Sequence, residues 1–192
     1  AVVHWGGGSP SPAHYCGETE VYDGSSWSEV NDMIRGGALY AGQFGESSEA
    51  AISAAGAPNN QAHNPYNSTD ATEEWNGTNW SESGDAPANM KRGGMAGSVN
   101  AAVAFGSNTD PDLTLHWNGS AWSTGGSGHS PLGIDNVHGG TQNDAISAAS
   151  GYVSPYVYTK RTQYYDGTTW SDGNDMINAY AHRGMGGNQG NA

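Results

Sequence analysis

The residues that could do chemistry in this chain come in four copies of one phrase. The copies read Tyr22-Asp23-Gly24-Ser25-Ser26-Trp27-Ser28, Trp75-Asn76-Gly77-Thr78-Asn79-Trp80-Ser81, Trp117-Asn118-Gly119-Ser120-Ala121-Trp122-Ser123 and Tyr165-Asp166-Gly167-Thr168-Thr169-Trp170-Ser171. An indole face suits the apolar face of a pyranose, so Trp27, Trp80, Trp122 and Trp170 are candidate sugar-stacking platforms. Arg35, Arg92 and Arg183, each followed directly by Gly, complete the candidate ligand-binding set. The competing expectation is structural. A residue that recurs with the repeat usually serves the interface between repeats, which makes each Trp a lock on its neighbour.

Asp23, Asn76, Asn118 and Asp166 resemble cation ligands, but each precedes Gly. Asp-Gly and Asn-Gly supply the positive φ angles of a tight hairpin turn, and that is their expected role. Seven His occur, His4, His14, His63, His116, His129, His138 and His182, and no two have the i, i+2 or i, i+4 spacing of a metal pair. His138 and His182 lie at or beside expected inner strands, where a bond to a backbone carbonyl is the expected role. The acids Glu46, Glu49, Asp110 and Asp112 fall on loops, with no spacing that selects a glycosidase pair. No Gly-x-Ser-x-Gly elbow, phosphate loop or dinucleotide fingerprint occurs. A single Cys, Cys16, excludes an internal disulfide and a Cys-based zinc site. Asn67, Asn76, Asn79 and Asn118 match glycosylation acceptors, and the match at the turn phrases is expected to be chance. Neither catalysis nor a cofactor is expected.

The elements that position these residues must be short strands. With 30 Gly and 35% apolar residues among 192, side-chain volume is scarce and close backbone packing has to replace it. Seven Trp and 10 Tyr at regular intervals argue against disorder. No window carries helix formers at a 3.6-residue period. The net charge of −13, with only Lys91 and Lys160 as lysines, disfavours nucleic acid and anionic membranes as partners. No apolar stretch approaches 18 residues, and no basic-then-apolar leader opens the chain. Ala1 in place of Met suggests trimming or excision from something longer.

In chain order, residues 1–8 read as a strand, Ser9–Cys16 as a loop, and 18–30 as a hairpin about Asp23-Gly24. Gly-rich runs at 36–44, 93–99, 137–142 and 184–190 read as innermost strands, where only small residues fit. Small apolar second strands follow three of them at 50–56, 100–106 and 145–149, and the hairpins close each unit at 71–83, 113–123 and 156–171. The inserts 57–68 and 107–113 are the longest tips. The hairpin Trp residues are spaced 53, 42 and 48 apart, and the two chain ends together add 49 residues, one further repeat. Asn191-Ala192 joined to Ala1-Val2 also repeats the words of Asn100-Ala101-Ala102-Val103. These features predict four units of about 48 residues, the size of a propeller blade, opened inside the fourth. The blades are expected near 31–83, 88–123, 131–171, and 176–192 completed by 1–30, in one domain. N- and C-terminal strands would pair to close the ring. The alternative is part of a larger propeller, or a ring shared between chains.

The order of Arg, Gly-rich strand, small apolar strand ending in Gly, then aromatic-Asp/Asn-Gly-x-x-Trp resembles the kelch repeat of the galactose-oxidase central-domain type. It is similar in particular to the divergent Asp-Gly-x-x-Trp form found in virion proteins of marine phages. The chain departs from the kelch pattern in places: the di-Gly survives at Gly6-Gly7 but becomes Gly56-Ala57 and Gly106-Ser107, and the third unit has Gly133-Ile134-Asp135 where Arg is expected. Galactose oxidase itself uses copper, but Tyr15-Cys16, adjacent in one loop, cannot reproduce its crosslink. The phrase differs from the sialidase Asp-box, which keeps a residue between Asp and Gly. The resemblance implies an extracellular or virion-surface structural and adhesion module. Its partners would be other structural proteins, copies of itself, or a cell-surface glycan. A soluble lectin and a kelch-type adaptor are the alternatives.

Overall fold

The computed structural model describes residues 1–10, 13–35, 42–56, 69–126, 134, 137–148, 151–153 and 156–179. Every regular element among them is a β-strand. The chain divides into two compact units, Ala1–Lys91 and Arg92–Ala192.

In the first unit, β1 (Val2–Trp5), β2 (Gly8–Pro10), β3 (Ala13–Tyr15), β4 (Thr19–Tyr22) and β5 (Trp27–Glu29) come first. β1, β4 and β5 form a three-stranded antiparallel sheet, and β2 pairs with β3 as a separate hairpin. Then β6 (Gly42–Ser47), β7 (Ala50–Gly56), β8 (Thr69–Trp75) and β9 (Trp80–Glu82) form a four-stranded antiparallel meander.

The second unit repeats that meander twice. The first is β10 (Gly94–Ser98), β11 (Ala101–Phe105), β12 (Thr114–Trp117) and β13 (Trp122–Thr124). Next come β14 (Val137–Thr141), β15 (Asp144–Ala148), β16 (Gly151–Val153), β17 (Tyr156–Tyr158), β18 (Thr162–Tyr165) and β19 (Trp170–Asp172). The sheet order here is β14-β15-β18-β19, with β16 and β17 set aside as a hairpin.

One rung crosses each four-stranded sheet at the same place. Gly45, Ala51, Trp75 and Trp80 are opposed in register, as are Gly97, Ala102, Trp117 and Trp122 and Gly140, Ala145, Tyr165 and Trp170. Opposed residues share a face, so side-chain volume grows along each rung from Gly to Ala to aromatic to Trp. The result is a wedge, thin at the first strand and thick at the last. Radially stacked blades need that shape. The three-stranded sheet carries Val2, Tyr22 and Trp27 in the same register, so β1, β4 and β5 match the second, third and fourth strands of the others. The architecture is all-β and propeller-like, and no sheet closes on itself among the described residues.

The turns between the last two strands follow from the sequence phrase. Gly24, Gly77, Gly119 and Gly167 have φ of 110, 92, 91 and 92°, a region that favours glycine.

Two expectations are corrected. Ser9–Cys16 is not a plain loop, because β2 and β3 pair there. Pro10 stands at the terminal pair of that hairpin, opposite Ala13. Residues 156–165 are not one strand either. Tyr156–Tyr158 pairs back on β16, whereas Thr162–Tyr165 joins the sheet. Lys160 lies between the two, its carbonyl accepting the Met176 N–H at 2.7 Å. The expected inner strand at 184–190, its pairing with residues 1–6, and the insert 57–68 lie outside the described residues.

Candidate functional site

One of the repeated Trp residues meets the neighbouring sheet in each unit. In the first unit Trp80 Nε1 donates to Thr19 Oγ1 at 2.8 Å, and the indole packs in a cluster with Val3, Ala51 and Trp75. Trp5 lies against it with ring centres 5.5 Å apart. In the second unit Trp170 Nε1 donates to Thr114 Oγ1 at 2.9 Å, beside Ala96, Val103, Phe105, Ala145 and Tyr165. Both indoles are only 5% exposed, and Thr19 is fully buried. An aromatic rung on one blade thus covers the opposite face of the blade before it, with its one polar atom satisfied.

Polar ties reinforce these contacts. His116 Nε2 and Tyr165 Oη lie 2.7 Å apart across the second unit's interface. Burial lowers the His116 pKa and raises that of the Tyr165 phenol. Gln142 Nε2 donates to the Ala102 and Trp117 carbonyls at 2.9 and 2.7 Å. In the first unit the connector after β5 is gripped by the next sheet. The N–H groups of Ile34 and Arg35 donate to the two carboxylate oxygens of buried Glu73 at 2.8 and 2.9 Å. Arg35 Nε also donates to Glu82 at 2.8 Å. That exposed pair raises the arginine pKa and holds the Glu82 carboxyl below its ordinary value.

The turn residues are engaged as caps. Asp23 Oδ1 accepts the Ser26 N–H, the Ser25 hydroxyl and the Ser25 N–H at 3.0, 2.8 and 2.7 Å, which pulls its pKa down to about 2. The Thr169 and Thr168 N–H groups do the same for Asp166, lowering its pKa too. Asn76 and Asn118 make the equivalent bonds without charge. Among the described residues, no group of three or more His, Cys, Asp or Glu is placed to hold a metal ion.

The candidate ligand-binding residues do not converge. Trp80 and Trp170 are sealed between blades, Trp122 is half-buried against Trp117 at 5.2 Å, and Trp27 alone of the four is 52% exposed. Arg35 is held by Glu82. Arg92 is half-buried in a left-handed backbone conformation (φ 68°), and Arg183 lies outside the described residues. His138 packs edge-on against Phe105, with ring centres 6.1 Å apart. A groove of about 230 Å³ is lined by Ala1, Val2, Val3, Gly45, Glu46 and Ser47. No described helix is long and apolar enough to cross a membrane.

Sequence reasoning missed the acceptors of the Trp bonds. Thr19, Thr72, Thr114 and Thr162 each stand three residues before the aromatic of their phrase, and all four are buried. That recurrence was the available signal. Glu73 left no such trace, because its counterparts are Glu20, Leu115 and Gln163.

No family model matches the sequence, and no curated protein matches it. Among solved structures the chain is similar to that of YjhT, with a TM-score of 0.75 and 12% sequence identity, over 96% of this chain and 70% of the other. At that identity the likeness extends to the fold alone.

Proposed function

We propose that the chain is a non-enzymatic structural and adhesion module, a kelch-like propeller that presents loops on a virion or other extracellular surface. The observation that carries this reading is the use made of the repeated residues. The indole N–H groups of Trp80 and Trp170 are engaged with threonine hydroxyls between blades, and the four Asp and Asn residues are engaged in turns. Such a frame holds its geometry while its loops vary, which suits display of different surfaces on one scaffold. The charge of −13 and the likeness of the phrase to phage propeller repeats support the extracellular placement.

The module reading predicts a protein recovered from a larger assembly, inert toward a panel of polysaccharides. Hydrolysis that disappears on mutation of a single acidic residue would overturn it.

One observation favours a second reading, a glycan-binding lectin. Trp27 presents an open indole beside Tyr22, with ring centres 5.3 Å apart. Retention on a glycan column, lost in Trp27→Ala, would replace the module reading with this one.

A further inference from the structure

Two of the four hairpin turns carry an amide where the other two carry an acid. Asn76-Gly77 and Asn118-Gly119 stand against Asp23-Gly24 and Asp166-Gly167, and they are the only Asn-Gly pairs in the sequence. A side-chain amide next to a glycine nitrogen is poised for ring closure, because no Cβ shields that nitrogen. The turn itself demands the glycine: Gly77 and Gly119 have φ of 92 and 91°, a region that favours it. Asn76 lies between β8 and β9 and Asn118 between β12 and β13, so each turn joins strands of one sheet within one unit.

The groups that would react are arranged for it. Both asparagines are exposed to water. Asn76 Oδ1 accepts the Thr78 and Asn79 N–H groups at 3.0 and 2.9 Å. Asn118 Oδ1 accepts the Ser120 N–H, the Ser120 hydroxyl and the Ala121 N–H, each at 3.0 Å. Donors on that oxygen polarise the amide carbonyl and would stabilise the oxyanion that forms when its carbon is attacked. The two amide nitrogens, and the Gly77 and Gly119 N–H groups, have no hydrogen-bond partner among the described residues. Nucleophile and leaving group are thus both free to move.

We propose that Asn76 and Asn118 are sites of spontaneous deamidation in the folded chain, converting to Asp with the turn retained. The Gly77 nitrogen bonds to Asn76 Cγ and gives its proton to solvent. The Cγ–Nδ2 bond breaks, and that nitrogen takes up a proton and leaves as ammonia. Water then opens the succinimide ring, giving Asp if it breaks the new bond to Cγ and isoaspartate if it breaks the original peptide bond. Asn118 and Gly119 react alike, and the net change is amide plus water to acid plus ammonia. The fold favours the first product. Asp23 and Asp166 already hold the same place, each accepting the N–H groups two and three residues on, at 2.7 and 3.0 Å and at 2.8 and 2.7 Å. Isoaspartate would carry the chain through Cγ, which removes Oδ1 from the cap. It would also lengthen a connection that sets Trp75 opposite Trp80 and Trp117 opposite Trp122. The reaction is independent of whether the chain is an adhesion module.

Peptide mass spectrometry of the full chain, held folded at mildly alkaline pH and sampled over time, tests this. The peptides containing Asn76 and Asn118 should gain the mass difference between an amide and an acid, with Asp as the main product. Asn79 and Asn100, followed by Trp80 and Ala101, should keep their amides over the same period. The chain held in urea should form a larger share of isoaspartate, because nothing there keeps the side-chain oxygen in its cap. A chain combining Asn76→Asp with Asn118→Asp should match wild type in circular dichroism and unfolding midpoint. A folded chain that keeps both amides overturns the proposal, as does conversion of Asn79 and Asn100 at the same rate. Isoaspartate as the main product of the folded chain, or a double variant that does not fold, overturns the retention of the turn.

Discussion

Trp80 and Thr19, 61 residues apart in sequence, meet at 2.8 Å between two sheets, and the indole N–H has the threonine hydroxyl as its acceptor in a buried setting. Trp170 and Thr114 repeat the relationship. Removing the hydroxyl while keeping the shape leaves a buried donor without an acceptor. Thr19→Val and Thr114→Val should each cost about 1–3 kcal/mol in urea unfolding. Combining Thr19→Val with Trp80→Phe should cost less than the two single changes added together, because both remove one bond. Strict additivity would mean that the bond contributes nothing.

Most of the blade was legible before the structure, for a physical reason. Asp23-Gly24, Asn76-Gly77, Asn118-Gly119 and Asp166-Gly167 fix the turn, and a connection of constant length, four residues between the paired aromatic and Trp, fixes the register of both flanking strands. Gly and Ala at the thin edge and Trp at the thick edge then follow from wedge packing. What was not legible depends on contacts between units of sequence. The threonine acceptors and Glu73 matter only once a second blade lies against them, and the β16–β17 hairpin competes for a run, 156–165, whose alternation suits a continuous strand equally well. The exposure of Trp27 was hidden too, because its phrase matches its siblings.

The turns carry their own prediction. Gly167 has φ of 92°, and a Cβ there would sit 2.7 Å from the Asn143 side-chain oxygen. Gly167→Ala should therefore destabilise by about 1–2 kcal/mol. Asp166→Asn should fold normally, since Asn76 and Asn118 cap the same turn without charge. The Asp23 and Asp166 pKa values are lowered on folding, so their contribution is present above the unfolded value near 4 and is lost as pH falls through the folded one, about 2 for Asp23. Acid unfolding followed by circular dichroism should show a shallower slope below pH ~4 in the double Asp→Asn variant. An unchanged slope would place the acid sensitivity elsewhere.

His116 gives a second pH window. Burial depresses its pKa, so folding opposes protonation, and its contribution is complete above the unfolded value near 6.5 and declines as pH falls below it. Partial exposure screens the effect. Replacing the ring with Gln keeps a group that can bond the Tyr165 hydroxyl. His116→Gln should thus flatten the stability profile below about pH 6.5, measured by thermal unfolding in matched buffers. A profile identical to wild type would show that the interface tolerates the imidazolium.

Glu73 and Glu82 separate two kinds of carboxylate on one rung. Glu82 faces Arg35 at 2.8 Å, but both side chains are largely exposed, so solvent and salt screen the pair. Glu82→Ala should leave stability close to wild type, with any difference vanishing at high salt. Glu73 is 3% exposed and accepts the N–H groups of Ile34 and Arg35, which both lose this acceptor if it is removed. Glu73→Ala should cost about 1–3 kcal/mol regardless of salt. Glu73→Gln should recover part of this, because an amide oxygen can accept one of the two bonds. Amide exchange at Ile34 and Arg35 provides the local readout. Faster exchange in Glu73→Ala, with Glu82→Ala unchanged, is the expected pattern, and equal effects from the two variants would mean that the connector is held by the ion pair and not by the buried carboxylate.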